Sequence, residues 1–190
     1  SYHAKKKETT KAIGILDEAI KMVPKNAPAL EMKGSLLASE KKYNEALKVF
    51  EELDTIAPNR GLPLKIRVYV AMKEVPKAIE QARRIVNQKP NSAAGYLVMA
   101  SIYESQRDFL KAINEARNGI RVEGKNPQAH LTLGNLYAES RDQKAAMASY
   151  AEALKVQPNF APALFAQGAL LDASGKKKEA VKKYRETLAK

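Results

Sequence analysis

A column of alanines sets the strongest limit on what this chain can fold into. Ala12, Ala46, Ala78, Ala112, Ala146 and Ala180 follow one another at separations of 34, 32, 34, 34 and 34 residues. A fixed period of this length marks stacked supersecondary units, each unable to bury its apolar face alone, rather than one globular core. Twelve residues after the first five alanines comes a helix breaker: Pro24, Pro58, Pro90, Gly124 and Pro158. Between each breaker and the next alanine lies a second apolar-periodic segment, such as Leu131, Leu133, Leu136 and Tyr137, so each period holds two amphipathic helices joined by short turns. The expected fold is all-α, an α-solenoid of about 11 helices.

Composition agrees. Of 190 residues, 45% are hydrophobic, only 6% are aromatic and none is tryptophan, a usage that favours helices over sheets. Without cysteine the chain can form neither a disulfide nor a thiolate metal site, and its redox compartment is left open. The longest uncharged stretch, from Val156 to Leu171, is broken by Pro158 and Pro162 and is too short to span a bilayer. The start, SYHAKKKETT, has the lysines of a secretory leader but no apolar segment behind them. These features fit a cytoplasmic or an envelope protein equally.

Glycine recurs where it is locally unfavourable by about 1 kcal/mol, inside the first helix of a period, at Gly34, Gly134 and Gly168. Here the chain resembles the tetratricopeptide repeat family. Its 34-residue pattern runs from a large residue through leucine, glycine and tyrosine to alanine, a second aromatic, alanine and proline. Residues 127–160 supply His130, Leu133, Gly134, Tyr137, Ala146, Tyr150, Ala153 and Pro158; residues 27–60 supply Gly34, Ala46, Phe50 and Pro58; residues 161–190 supply Gly168, Ala180 and Tyr184. Residues 93–126 keep Tyr96, Tyr103 and Ala112, with Ala100 for glycine and Gly124 for proline. Residues 61–92 keep Ala78 and Pro90 but span 32 residues, with no small residue at the glycine position. The two missing residues come either from the turn at Lys73 to Pro76, with a local irregularity in the spiral, or from the start of the first helix. Residues 1–26 read as a half repeat holding only a second helix, and the chain as an excerpt of a longer array. The resemblance implies a right-handed superhelix in which glycine lets the two helices of a unit cross closely, with the alanine column as the facing surface.

For function, the resemblance implies protein binding in a concave groove lined by the first helix of each unit. By position the lining is Glu31 and Ser35, then Lys65, Tyr69 and Met72, then Leu97, Ser101 and Glu104, then Leu131, Asn135 and Ala138, and finally Phe165, Ala169 and Asp172. Leu97, Leu131 and Phe165 repeat one position and suit an apolar or amphipathic segment. A carboxylate clamp is disfavoured, because Leu131 takes the lysine position and Ala166 that of a second asparagine. Of the two histidines, His3 lies in the opening residues and His130 is expected in the core. With no metal spacing, phosphate loop or nucleophile elbow, the reading is a non-enzyme without cofactor or metal.

The +12 net charge raises a competing reading, a binder of nucleic acid or another polyanion. The basic residues Arg83, Arg84, Arg117, Arg121, Lys176 to Lys178, Lys182 and Lys183 fall on second helices and turns, and the tyrosines fall at core positions rather than free to stack. Val181, Tyr184 and Leu188 form a stripe with no following helix to cover it, which predicts end-to-end self-association. The alanine- and lysine-rich repeats are similar to those of bacterial repeat proteins, including envelope proteins that scaffold export.

Overall fold

The computed structural model describes residues 2–188, with side chains from Lys7 onward. Among them are eleven helices and no strand: α1 (Tyr2–Met22), α2 (Ala27–Ser39), α3 (Tyr43–Ile56), α4 (Leu62–Ala71), α5 (Val75–Gln88), α6 (Ala94–Ser105), α7 (Phe109–Val122), α8 (Pro127–Glu139), α9 (Gln143–Val156), α10 (Ala161–Ala173) and α11 (Lys177–Leu188). They form an α-solenoid divided into two compact units, the first ending at Gln81 and the second beginning at Ala82.

Each helical hairpin is closed by the same device. Lys41, Lys73, Arg107, Arg141 and Gly175 adopt left-handed backbone at φ 61°, 61°, 59°, 68° and 78°. The amide after each of them donates to a carbonyl five residues earlier, on Leu37, Tyr69, Tyr103, Tyr137 and Leu171, at 2.8–3.0 Å. This Schellman closure satisfies carbonyls that a helix end would leave orphaned. Asn26, Asp108, Asn126 and Asp142 cap following helices by accepting from their first-turn amides.

The closures fix a register. Counted from them, Gly34, Gly134 and Gly168 lie seven residues ahead, and a methyl at any of the three would overlap the ring of Phe50, Tyr150 or Tyr184. The glycine therefore makes room chiefly for an aromatic ring on the second helix, four residues past the alanine column, rather than for the alanine itself. Ala46, Ala78, Ala112 and Ala146 are fully buried and Ala180 nearly so. Where Ala100 replaces glycine, Ala116 replaces the aromatic, and both are buried in one cluster. A second small-residue column, Ala29, Gly61, Gly95, Ala129 and Ala163, is buried twelve residues ahead of each closure.

That register locates the two missing residues. The turn after α4 has the same three residues and the same closure as the others, so the shortening is not there. The second small column falls three residues after Pro58 but five after Pro24, Pro90, Gly124 and Pro158, which removes two residues from the approach to α4. Asp54 of α3 substitutes for the lost turn. Its carboxylate accepts from the Gly61 amide at 2.6 Å and pairs with Lys65 Nζ at 2.5 Å. Lys65 is thus buried in an ion pair rather than lining a groove.

Candidate functional site

The second unit contains a cleft of ≈ 470 Å³ between α8 and α10. One wall is Leu131, Asn135 and Ala138, spaced to lie on one face of α8, and the other is Pro162, Phe165, Ala166, Ala169, Leu170 and Ala173 of α10. Tyr150 of α9 forms the floor, held under the cleft because Gly134 admits its ring. Its hydroxyl donates to Asn135 Oδ1 at 3.0 Å, and burial with the nearby Glu139 charge pushes the phenol pKa up, so the floor is a neutral donor at physiological pH.

Five of the residues assigned to the groove from sequence, Leu131, Asn135, Ala138, Phe165 and Ala169, come together here. The three aligned apolar positions are nevertheless not equivalent. Leu131 is 6% exposed and packs with Ala146, Tyr150, Ala153 and Ala163, Leu97 is half-buried, and Phe165 is 59% exposed. Phe165 also packs on Tyr184 at 5.5 Å between centroids, and with Tyr184, Thr187 and Leu188 borders a second hollow of ≈ 220 Å³. One exposed ring thus divides two apolar hollows.

Other assigned residues lie elsewhere. Ser101 is exposed and its hydroxyl donates to the Val98 carbonyl. Asp172 is exposed in the last turn of α10. Glu104 meets Glu139 of α8 through a carboxyl–carboxyl hydrogen bond; partial burial first, then the Glu139 charge and that bond, raise its pKa. The two residues lost after Pro58 shift Tyr69 and Met72 by two positions relative to the lining of the other repeats. Tyr69 occupies the closure position of Tyr103 and Tyr137, and Met72 caps the end of α4; both pack half-buried on the first unit's core. The first unit has its own hollow of ≈ 250 Å³, where Ser35 and Ala38 of α2 face Leu64, Arg67 and Ala71 of α4.

His130 is half-buried rather than a core residue, with Nε2 3.0 Å from the Gly124 carbonyl. The side chain of His3 lies outside the described residues. Cations cover several aromatic faces: Lys77 over Tyr69, Lys111 over Tyr103 and Arg117 over Tyr137, at 5.5–5.9 Å. Among the described residues no group of three or more acidic, histidine or cysteine side chains is placed to hold a metal, and no helix is long and apolar enough to cross a membrane.

The family model described as a tetratricopeptide repeat matches residues 2–60, 97–159 and 131–190. No curated protein matches the chain. Among solved structures, TTC0263, a thermophilic repeat protein of Thermus thermophilus, is 22% identical, with TM-score 0.60 over 86% of this chain and 90% of its own. MamA is 21% identical, with TM-score 0.58 over 82% of this chain and 92% of its own. YrrB, described as a repeat protein with an unusual peptide-binding site, is 13% identical, with TM-score 0.53 over 92% and 91%.

Proposed function

The chain belongs to the tetratricopeptide repeat family, and from that premise we propose that it is a non-enzymatic scaffold that holds a segment of a partner protein in the cleft between α8 and α10. The observation that carries this reading is Phe165, a large apolar side chain held exposed by Tyr184 at the edge of two apolar hollows. Such a ring is a natural anchor for a partner's apolar side chain, since desolvated aromatic contacts dominate binding energy at most interfaces. YrrB, a repeat protein of the same fold, is described by its peptide-binding site, which agrees with this use of the fold. The alanine- and lysine-rich repeats support extending the reading to a bacterial envelope or export assembly.

The test is partner capture by the full chain beside Phe165→Glu and Ala169→Glu, two exposed positions whose substitution leaves the core intact. Loss of the partner with an unchanged melting curve supports the cleft. An unchanged set of captured proteins removes it. Leu131 is unsuitable for this test, because a charge at a buried position would unfold the unit.

The exposed apolar residues Ile15, Met22 and Val23 near one end of the described chain, with Val181 and Leu188 near the other, give the proposal a second contact, end-to-end association between copies. Light scattering across a concentration series should show reversible growth in mass; a constant monomer mass removes this part. The polyanion reading is weaker, since cations already cover Tyr69, Tyr103 and Tyr137.

A further inference from the structure

The hollow of the first unit, between α2 and α4, holds a different chemistry from the cleft of the second. Six residues ahead of each left-handed closure, one column faces these spaces: Ser35 and Arg67 in the first unit, Asn135 and Ala169 in the second. Among the described residues that line the ≈ 250 Å³ hollow, Arg67 is the one charged group. Buried Phe50 and Val68 form its floor with half-buried Leu64, and Ser35 and Tyr43 add hydroxyls to the lining.

The cations on neighbouring positions are matched. Lys33 pairs with Asp17 at 2.6 Å, Arg60 with Glu31 at 2.7 Å, Lys65 with Asp54, and Lys77 with Glu74. Arg67 has no hydrogen bond, ion pair or ring contact among the described residues. The adjoining turns do not reverse this balance: they carry Lys41, Lys42 and Lys73 against Glu40 and Glu74, and Glu74 is the partner of Lys77. An arginine and an apolar floor thus share one small space, with hydroxyls beside them and no counter-charge in the lining.

We propose that this hollow is a further docking site, independent of the cleft between α8 and α10, for a partner segment carrying an aspartate or glutamate next to an apolar residue. The apolar side chain covers Phe50 and Val68, and the carboxylate meets the Arg67 guanidinium, whose planar fork matches two carboxylate oxygens. Size and charge select this occupant. The hollow is smaller than the ~300–1,000 Å³ pockets that enclose a whole small molecule, so it suits one or two side chains of a longer segment. A polyanion would call for a row of cations, and the lining supplies a single one. Arg67 is therefore the position that sets specificity, and the second unit, with Ala169 in the same register, lacks that preference.

The probe is a library of short random peptides displayed on phage, selected on the full chain and counted again on Arg67→Gln, Ser35→Glu and Phe165→Glu, all exposed positions. One class of winners should carry Asp or Glu beside an apolar residue, bind Arg67→Gln and Ser35→Glu about five- to tenfold more weakly, and ignore Phe165→Glu. Versions of these peptides with the acid replaced by Lys should bind Arg67→Glu better than they bind the parent, an exchange that a purely structural arginine would not produce. Winners that depend on Phe165 alone would leave the cleft reading standing and overturn the site in the first unit. Acid-bearing winners indifferent to Arg67→Gln, or Lys versions that gain nothing on Arg67→Glu, would overturn it too. No winners at all would overturn both sites.

Discussion

The two units each contain a hollow built at the same register, and their contents differ. In the first, Ser35, Ala38 and Phe50 face Leu64, Arg67, Val68 and Ala71; in the second, Asn135, Ala138 and Tyr150 face Ala166, Ala169, Leu170 and Ala173. Every residue of one set corresponds, by its distance from the left-handed closure, to a residue of the other. Leu64 and Arg67 in place of two alanines go with a volume of ≈ 250 Å³ rather than ≈ 470 Å³. Beside them Glu31, bonded to Arg60 at 2.7 Å, stands where the second unit has Leu131, and Pro63 stands where it has Phe165. The shared register thus places a hollow between α2 and α4 and another between α8 and α10. Only the side chains at a few register positions decide whether each is a charged dimple or an apolar cleft.

The comparison breaks most severely if the wall of the first hollow is released. Asp54 both caps the start of α4 and neutralises the buried Lys65, so Asp54→Ala should cost about 3 kcal/mol by stranding a buried cation. Denaturant unfolding followed by hydrogen exchange should show protection falling in α3 and α4 while α8 to α10 keep theirs. An equal loss in both units would mean that Asp54 does not act locally.

On the other side, Gly134→Ala should drive the Tyr150 ring out of the cleft floor and cost about 2 kcal/mol, despite alanine's better helix propensity. Gly14 gives the control. It also lies inside a helix, but a methyl there meets nothing within 4 Å, so Gly14→Ala should instead stabilise by about 0.5 to 1 kcal/mol. If the two substitutions shifted the melting temperature in the same direction, packing against Tyr150 would not be the reason for glycine at 134.

These residues show how far the sequence was legible. Helix number and pairing followed from the alanine column, because a 34-residue period leaves one way to lay out two helices. The glycines are legible as close-packing positions, and the Ala146 carbonyl does lie near Gly134, but the tightest neighbour in each case is an aromatic ring. A pattern search pairs columns that recur in every unit, while the ring that needs the space is Phe50 in one unit, Tyr150 or Tyr184 in others, and absent where Ala100 faces Ala116. Lys65, Tyr69 and Met72 fall outside the groove because the two residues missing after Pro58 change their register. The signal that carries the true register is Tyr69, which matches Tyr103 and Tyr137. Exposure within an aligned column was not legible at all: nothing local distinguishes Leu131 at 6% from Phe165 at 59%, since each depends on which side chains pack beside it.

The smallest effect tests the carboxyl pair that separates the second unit's cleft from its neighbour. Glu104 holds its proton more tightly in the folded chain than an ordinary glutamate, from partial burial and the facing Glu139. The folded state therefore carries more protons than the unfolded one between the ordinary glutamate pKa and the raised value, and stability falls as pH rises through that interval. Glu104→Gln removes the group that titrates and should flatten this fall, making the variant more stable than the parent above the interval. Because Glu104 is only partly buried, solvent screening limits the gain to no more than about 0.5 kcal/mol. Melting curves collected from below the ordinary glutamate pKa to neutrality should show the two proteins diverging as pH rises. Parallel curves for Glu104→Gln and its parent would mean that the two carboxyls do not share a proton, and the second unit would lose the feature that most separates its chemistry from the first.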